Sequence, residues 1–337
     1  MTGDRRGSHK RAVRVTATLL AVSLFCLLTV RAQDEADRES AARHVLVLNS
    51  YNPGLRWTDG QVEGIRKALS QYRGDLEIHE EYMDTKRHLS EDYLAEFHRF
   101  MSVKYADRRF DLILTTDDNA YRFVLKHRRE LFPATPVVFC GVNHFDPEQL
   151  RGREGVTGIL ERLDLEGNFR LAMRLHPDAR EVVVITDSSA TGRGNRKAIE
   201  RMLATKTFPK PIRLLAAEGE MSLDEMLDAV GALPEGTIVH LVDFYRDRTG
   251  RFIDPEELMA LLRARTDNPI YGTANFYMNH GIVGGKLMVA EHIGRAAGTL
   301  ALRVLRGEEA SSIPIDPDSP TMYLFDYREL QRHDVDP

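Results

Sequence analysis

From residue 43 onward, the apolar positions switch repeatedly between unbroken runs and a helical spacing. The first run, "HVLVLN" (His44–Asn49), is short and rich in valine and leucine, which predicts a strand buried on both faces. It ends in Ser50 and Tyr51, passes the Pro53-Gly54 break and reaches Trp57, the only tryptophan of the chain. "TDGQ", Thr58–Gln61, reads as a capping box, and Val62, Ile65, Leu69 and Tyr72 mark one face of the helix behind it. "DLEIHEEYMD" follows as a strand, then a helix from Ser90 to Tyr105, the buried strand "FDLILTT", a helix over about 119–129, and "TPVVFCG". After "GVNHFDPEQLRGREGVTG" a second series begins, with "REVVVIT", "PIRLLAA", "TIVHLVD" and "NPIYG" as strands. Helices near 165–175, 191–205, 222–231 and 254–265 lie between them, the last with Asp254 as N-cap and Pro255 at its first position.

Short apolar strands alternating with amphipathic helices predict an α/β fold with parallel sheets covered on both faces. The two series imply two doubly wound, Rossmann-like lobes rather than one very wide sheet. In such sheets ligands sit beyond the carboxyl ends of the strands, so two lobes with facing strand ends make a cleft.

The candidate chemistry is therefore what each strand runs into. The first strand ends in Asn49, Ser50 and Tyr51, with Trp57 behind; "LILTT" ends in Asp117 and Asp118; "VVFCG" ends in Asn143 and His144. In the second series the ends carry Asp187, Ser188 and Thr191, then Phe244, Tyr245 and Arg246, then Asn275, Phe276 and Tyr277. Aromatic faces beside hydroxyls, amides and carboxylates are the wall chemistry of a small-molecule pocket. Each residue taken singly also has a plainer role. Asp118 and Asp187 suit helix N-caps, Trp57 suits packing beneath its loop, and Arg246 suits a solvated loop.

The N-terminus changes the compartment. Residues 1–14 carry Arg5, Arg6, Lys10, Arg11 and Arg14, and Val15–Val30 is uncharged. "VRA", Val30–Ala32, offers a small-residue cleavage site before Gln33, so residues 1–32 read as a signal peptide. The stretch is short for a spanning helix, which needs roughly 20 apolar residues; an uncleaved anchor is the alternative. Phe25 before Cys26 argues against lipidation. The mature chain keeps 40 basic and 50 acidic residues, a formal net charge of −10, which argues against nucleic acid or an anionic membrane as partner. Only Cys140 survives cleavage, so no intramolecular disulfide forms.

Motifs for catalysis are weak. Neither HExxH nor GxSxG occurs, and Cys140 lies inside a strand pattern. "GIVGGKL", Gly281–Leu287, is one residue short of a phosphate loop and has Leu287 where Ser or Thr should hold magnesium. "TGRGNRK" lacks the third glycine of a dinucleotide fingerprint, and His79, His88 and His98 show no ligand spacing. No cofactor and no metal are expected.

Several segments carry a family resemblance: "VLVLNSYNPGLRWTDG", "FDLILTTDDNAY", "TPVVFCGVNHFD", "GVTGILE", "YGTANFYMNHGIVGGKL", "GTLALRVLRGEEASSIPI" and "YLFDYRELQRHDV". They resemble the type I periplasmic-binding family, in particular the ABC-transporter substrate-binding branch with its tryptophan- and tyrosine-binding members. They are also similar to relatives fused to sensor kinases and diguanylate cyclases. The resemblance spans about Arg43 to Val335. It implies two lobes joined by a three-crossing hinge, near 143–155, 279–285 and 311–320. Lobe 1 would be 43–147 with 286–310, and lobe 2 would be 148–285 with 311–337. Gly281, Gly284 and Gly285 suit either a hinge or a tight turn.

Carried onto the matching strand ends, the resemblance implies ligand contacts from Tyr51, Trp57, Asp118, Asn143, Asp187, Phe244 and Asn275. No full set of residues matches the tryptophan-binding members, so the ligand stays open, with an amino acid or small aromatic as candidates. The expectation is a secreted, non-enzymatic, monomeric solute-binding protein that closes on a small ligand and delivers it to an ABC permease. A sensing module for a kinase or cyclase is the first alternative and a periplasmic enzyme the second. The chain stops at Pro337 without a further output domain, which favours the stand-alone protein.

Overall fold

The computed structural model describes residues 42–143, 145–216 and 220–336. The expected signal peptide and His144 lie outside the described residues. Among the described residues, eleven strands are arranged in two sheets. The first contains β1 (Arg43–Asn49), β2 (Leu76–Tyr82), β3 (Leu112–Thr116), β4 (Val137–Val142) and β5 (Val156–Leu160), in the order β2-β1-β3-β4-β5. The second contains β6 (Glu181–Ile185), β7 (Ile212–Leu214), β8 (Thr237–Leu241), β9 (Ile270–Tyr271), β10 (Gly284–Met288) and β11 (Thr321–Phe325), in the order β11-β10-β9-β8-β6-β7. The recorded pairings are parallel except β10 with β11. Runs such as "LILTT" and "TIVHL" are buried at every position, as strands covered on both faces must be.

Nine α-helices alternate with the strands among the described residues: α1 (Arg56–Leu69), α2 (Glu91–Lys104), α3 (Asp117–Leu131), α4 (Leu165–Leu175), α5 (Ala190–Thr205), α6 (Leu223–Gly231), α7 (Pro255–Arg263), α8 (Ala290–Leu305) and α9 (Tyr327–Arg332). The cap read from the sequence holds for α7, where Asp254 accepts from Glu256 N; Ser90, read as the first residue of a helix, is instead the cap of α2 and accepts from Tyr93 N. Thr58 is not a cap. Helix α1 begins two residues earlier, after Leu55, which makes no side-chain capping bond, and Trp57 sits within its first turn. Asp59 is instead spent on the Gly54 amide at 3.0 Å.

Each sheet has its own core, one around Leu46, Ile113, Tyr121 and Phe139, the other around Phe169, Val182, Ile238 and Tyr271. The chain passes between the sheets three times. The first passage, at 161–164, comes only after β5, because Val156–Leu160 pairs with β4 and extends the first sheet. The second is at Val289, since Lys286–Met288 still pairs with β11 in the second sheet. The third follows Asp316, which bridges Ile159. The first and third run side by side: Ser319 Oγ accepts from Arg162 N and donates to the Leu160 carbonyl.

Gly284 and Gly285 lie in β10 rather than in a passage between the sheets. Gly284 lies inside β10 at φ +142, and a Cβ there would stand 2.1 Å from the Leu324 carbonyl oxygen of the neighbouring strand. Its role is close backbone approach in an antiparallel pair. A second close approach joins α1 to α8, where a Cβ on Gly64 would meet the Glu291 carbonyl oxygen at 2.0 Å and one on Gly294 the Gln61 carbonyl oxygen at 2.0 Å. This contact seats α8 beside α1, on the first sheet.

Candidate functional site

The strand ends of both sheets face one cleft. Its lining includes Tyr51, Leu55, Trp57, Lys86, Asp117, Asn143 and Glu161 from the first lobe and its exit, and Leu163, Thr191, Asn195, Val242, Asp243, Tyr245, Thr273 and Phe276 beyond. The cavity left between these residues is about 50 Å³, well short of a small-molecule site, so the cleft is nearly closed around Lys86 in this structure.

The first-lobe floor is built on a sharp turn. Asp117, the first residue of α3, adopts φ +63, an uncommon conformation outside glycine. Room for it comes from Gly141, at φ +72, where a Cβ would stand 2.7 Å from Asp117 Oδ1. Trp57 Nε1 donates to that oxygen at 2.9 Å, whereas the buried Asp117 Oδ2 has no hydrogen-bond partner. The Trp57 ring meets Phe276 of the other lobe edge-on at 6.0 Å.

Between the lobes stands Lys86, from the segment after β2. Its ammonium lies 4.4 Å from the Tyr51 ring centre and 4.1 Å from that of Tyr245. Arg246 donates to the Lys86 carbonyl oxygen, and Arg56 pairs with Glu256 at 2.6 Å, so the lobes touch around the cleft. Lys86, Tyr245 and Glu161 keep some accessible surface because that surface faces the cleft, while protein surrounds them otherwise.

This enclosure moves protons. Burial pushes the Asp117 and Asp243 carboxyls up to about 7 and the Glu161 carboxyl well above its usual range. Around Asp117, the Trp57 bond and the Lys86 charge work the other way. Burial also lowers the Lys86 ammonium, and the charges of Asp187, Asp117, Asp243 and Glu161 oppose that shift.

Of the expected site residues, the structure brings Tyr51, Trp57, Asp117, Asn143, Thr191, Tyr245 and Phe276 to the cleft wall. The others are placed behind it. Ser50 Oγ donates to the Thr116 carbonyl at 2.6 Å and accepts from Ala120 N at 2.8 Å, tying β1 to the start of α3. Asp118 pairs with Arg122 at 3.0 Å and accepts from the Asn143 backbone and side chain. Asp187 accepts from Ser189 N, Tyr245 N and Arg246 N, so its carboxylate organises the two loops rather than reaching into the cleft. Ser188 Oγ donates to the Arg246 carbonyl, Phe244 is buried, and Asn275 Oδ1 accepts from Ala290 N at 3.5 Å. Arg246 reaches Lys86 and Gly250 rather than standing free in a loop.

The sequence reading missed Lys86, Glu161, Asn195 and Asp243. Asp243 closes the "VHLVD" run and was visible as a strand end; Lys86 and Glu161 lie in connecting segments with no such mark. Cys140 is fully buried and its thiol is raised by burial, as its place in β4 suggested. His98, His127 and Glu130 bring ligand atoms within 4.8 Å of one another, though none of them lines the cleft.

No family model and no curated protein matches this sequence. Among solved structures it is similar to the ligand-free, open form of a substrate-binding protein with adhesive properties from Clostridium difficile, at 14% identity and TM-score 0.62, covering 88% of this chain and 96% of that one. It is also similar to an ABC domain from Streptococcus pneumoniae in complex with L-Trp, at 15% identity and TM-score 0.61, with the same coverage. A branched-chain amino acid transporter substrate-binding protein of that species, in complex with isoleucine, aligns over 80% of this chain and 86% of its own at 8% identity and TM-score 0.56. The chain has the type I periplasmic-binding fold. The three passages at 161–164, Val289 and beyond Asp316 connect its two lobes. No helix among the described residues is long and apolar enough to cross a membrane.

Proposed function

We propose that the protein is an extracytoplasmic solute-binding protein. It closes its two lobes on a small molecule and presents the closed form to an ABC importer, without turning the ligand over. The observation that carries this reading is the Lys86 ammonium held between Tyr51 of one lobe and Tyr245 of the other, at the strand ends of both sheets. Walls supplied by two lobes that three passages of the chain connect suit hinge closure. The basic and apolar N-terminal segment supports export. Neighbours of the same fold carry L-Trp and isoleucine, which makes amino acids and small aromatics reasonable first probes.

The test is a thermal-shift screen of amino acids, amines, nucleobases and small aromatics, followed by solution scattering. A ligand at 100 times its Kd stabilises by about 2.7 kcal/mol, and closure should shrink the radius of gyration. Product formation in the same mixtures would move the protein to the enzymes. A ligand that stabilises without changing the scattering would mean a rigid pocket.

A further inference from the structure

The cleft carries more acid than base. Asp117, Glu161 and Asp243 line it from both lobes, and the one basic side chain among its lining residues is Lys86. No arginine lines it: Arg246 is spent on the carbonyls of Lys86 and Gly250, and Arg122 on Asp118. Asp243 is held by Asp187 N at 2.9 Å and by Asn195 Nδ2 at 2.6 Å. Asp117 is different: Trp57 Nε1 reaches its Oδ1 and the Gln61 amide also favours its charged form, but no hydrogen bond reaches the buried Oδ2. An orphaned carboxylate oxygen in an enclosed site costs free energy until a donor reaches it.

The rest of the wall has matching chemistry. Ring faces carry negative potential and attract cations lying within about 6 Å of the centroid. Tyr51 and Tyr245 already hold an ammonium at 4.4 and 4.1 Å, with Trp57 and Phe276 completing the aromatic side. Lys86 therefore sits in a seat built for a positive charge.

Resting on the ligand-binding reading above, we infer that the cleft takes an organic cation, a primary amine or quaternary ammonium on a small body. The Lys86 ammonium marks the seat that this cation would take. The incoming charge would lie between the rings of Tyr51 and Tyr245, within reach of Asp117 and Glu161, and Lys86 would swing aside on its flexible stem. A carboxylate on the ligand gains nothing comparable, since Lys86 is the one basic side chain among the lining residues that would receive it.

The test uses the full chain and one molecular body in three charge states: tyramine as cation, L-tyrosine as zwitterion and 4-hydroxyphenylacetate as anion. Choline and n-butylammonium, the latter equivalent to a lysine side chain, are added as further cations. Binding is read from Trp57 emission and thermal shift. Tyramine or choline should bind, and Lys86→Ala should bind the cations about tenfold more tightly, n-butylammonium included, because the tethered competitor is gone. Lys86→Met keeps the stem and loses the charge; it should move in the same direction if the alanine variant proves too unstable to measure. Preference for the anion or zwitterion, with binding lost in both variants, would make Lys86 the ligand's counter-ion. That result would overturn the cation assignment and leave the solute-binding reading standing. Failure of every cation with the wild type and both variants would also overturn it, and the broader screen would then decide the solute-binding reading separately.

Discussion

Trp57 Nε1 donates to Asp117 Oδ1 at 2.9 Å, joining the first turn of α1 to the first residue of α3. Both residues lie just beyond the carboxyl ends of neighbouring strands, β1 and β3, so the bond locks the floor of the cleft from two sides. The indole is only 7% exposed, yet it also meets Phe276 of the other lobe. It serves as an anchor of the fold and as cleft wall.

Trp57→Phe should separate these roles. The variant keeps an aromatic ring but removes the indole donor from Asp117 Oδ1. Loss of a hydrogen bond to a buried charged acceptor costs roughly 1–3 kcal/mol. Urea unfolding followed by circular dichroism should show that loss at pH 8 and a smaller one at pH 5, where Asp117 holds its proton. Equal losses at both values would mean that the bond does not favour the charged form.

Stability of the protein without ligand should fall as pH rises from about 4 to about 7. Asp117 and Asp243 titrate near 7 in the fold, above their usual 3.8. The folded state therefore binds more protons than the unfolded one across this window, and the slope of unfolding free energy with pH is negative there. The groups facing one another are Asp117, Asp118, Glu161, Asp187, Asp243 and Lys86. Thermal melts across pH 4–8 should show the decline, and Asp117→Asn with Asp243→Asn should flatten it. A rise in stability across that window in wild type would contradict the assignment.

Gly284→Ala distinguishes packing from hinge. A hinge glycine would alter closure and leave stability nearly intact. The contact at 2.1 Å with the Leu324 carbonyl, together with the positive φ, predicts a loss of roughly 1–3 kcal/mol or more in chemical unfolding. An unchanged midpoint would return this glycine to the hinge.

Arg246→Met should favour the open arrangement. The guanidinium bonds the Lys86 carbonyl across the cleft, and losing about 1 kcal/mol from the closed form shifts the balance roughly fivefold. Scattering of the variant should give a larger radius of gyration than wild type, with weaker ligand binding. An identical profile would show that closure does not depend on this contact.

The local pattern by itself determined eight of the strands, seven of the helices and the two-sheet class. An apolar run such as "VLVL" or "LILTT" has only one economical place, between two layers, and the alternation around it demands parallel sheets. Where a cap is written in adjacent residues, as with Asp254 and Pro255, the helix start was legible too. So were half of the candidate wall residues, because strand ends are local features: Tyr51, Trp57, Asp117, Asn143, Thr191, Tyr245 and Phe276 all line the cleft.

Only the tertiary structure decided which polar strand-end residues face the cleft and which support it. Asp117 and Asp118 are adjacent and chemically alike, yet one has an oxygen without a partner beneath the cleft and the other is paired with Arg122. The difference comes from a left-handed turn at Asp117, for which Gly141 on another strand leaves room. Likewise Val156–Leu160 reads as an isolated apolar segment until pairing with β4 assigns it to the first sheet. Lys86 carries no local signal at all. Its position depends on rings from two lobes and on carboxylates 31 to 157 residues further along the chain, and electrostatic attraction acts through that distance in space rather than along the sequence.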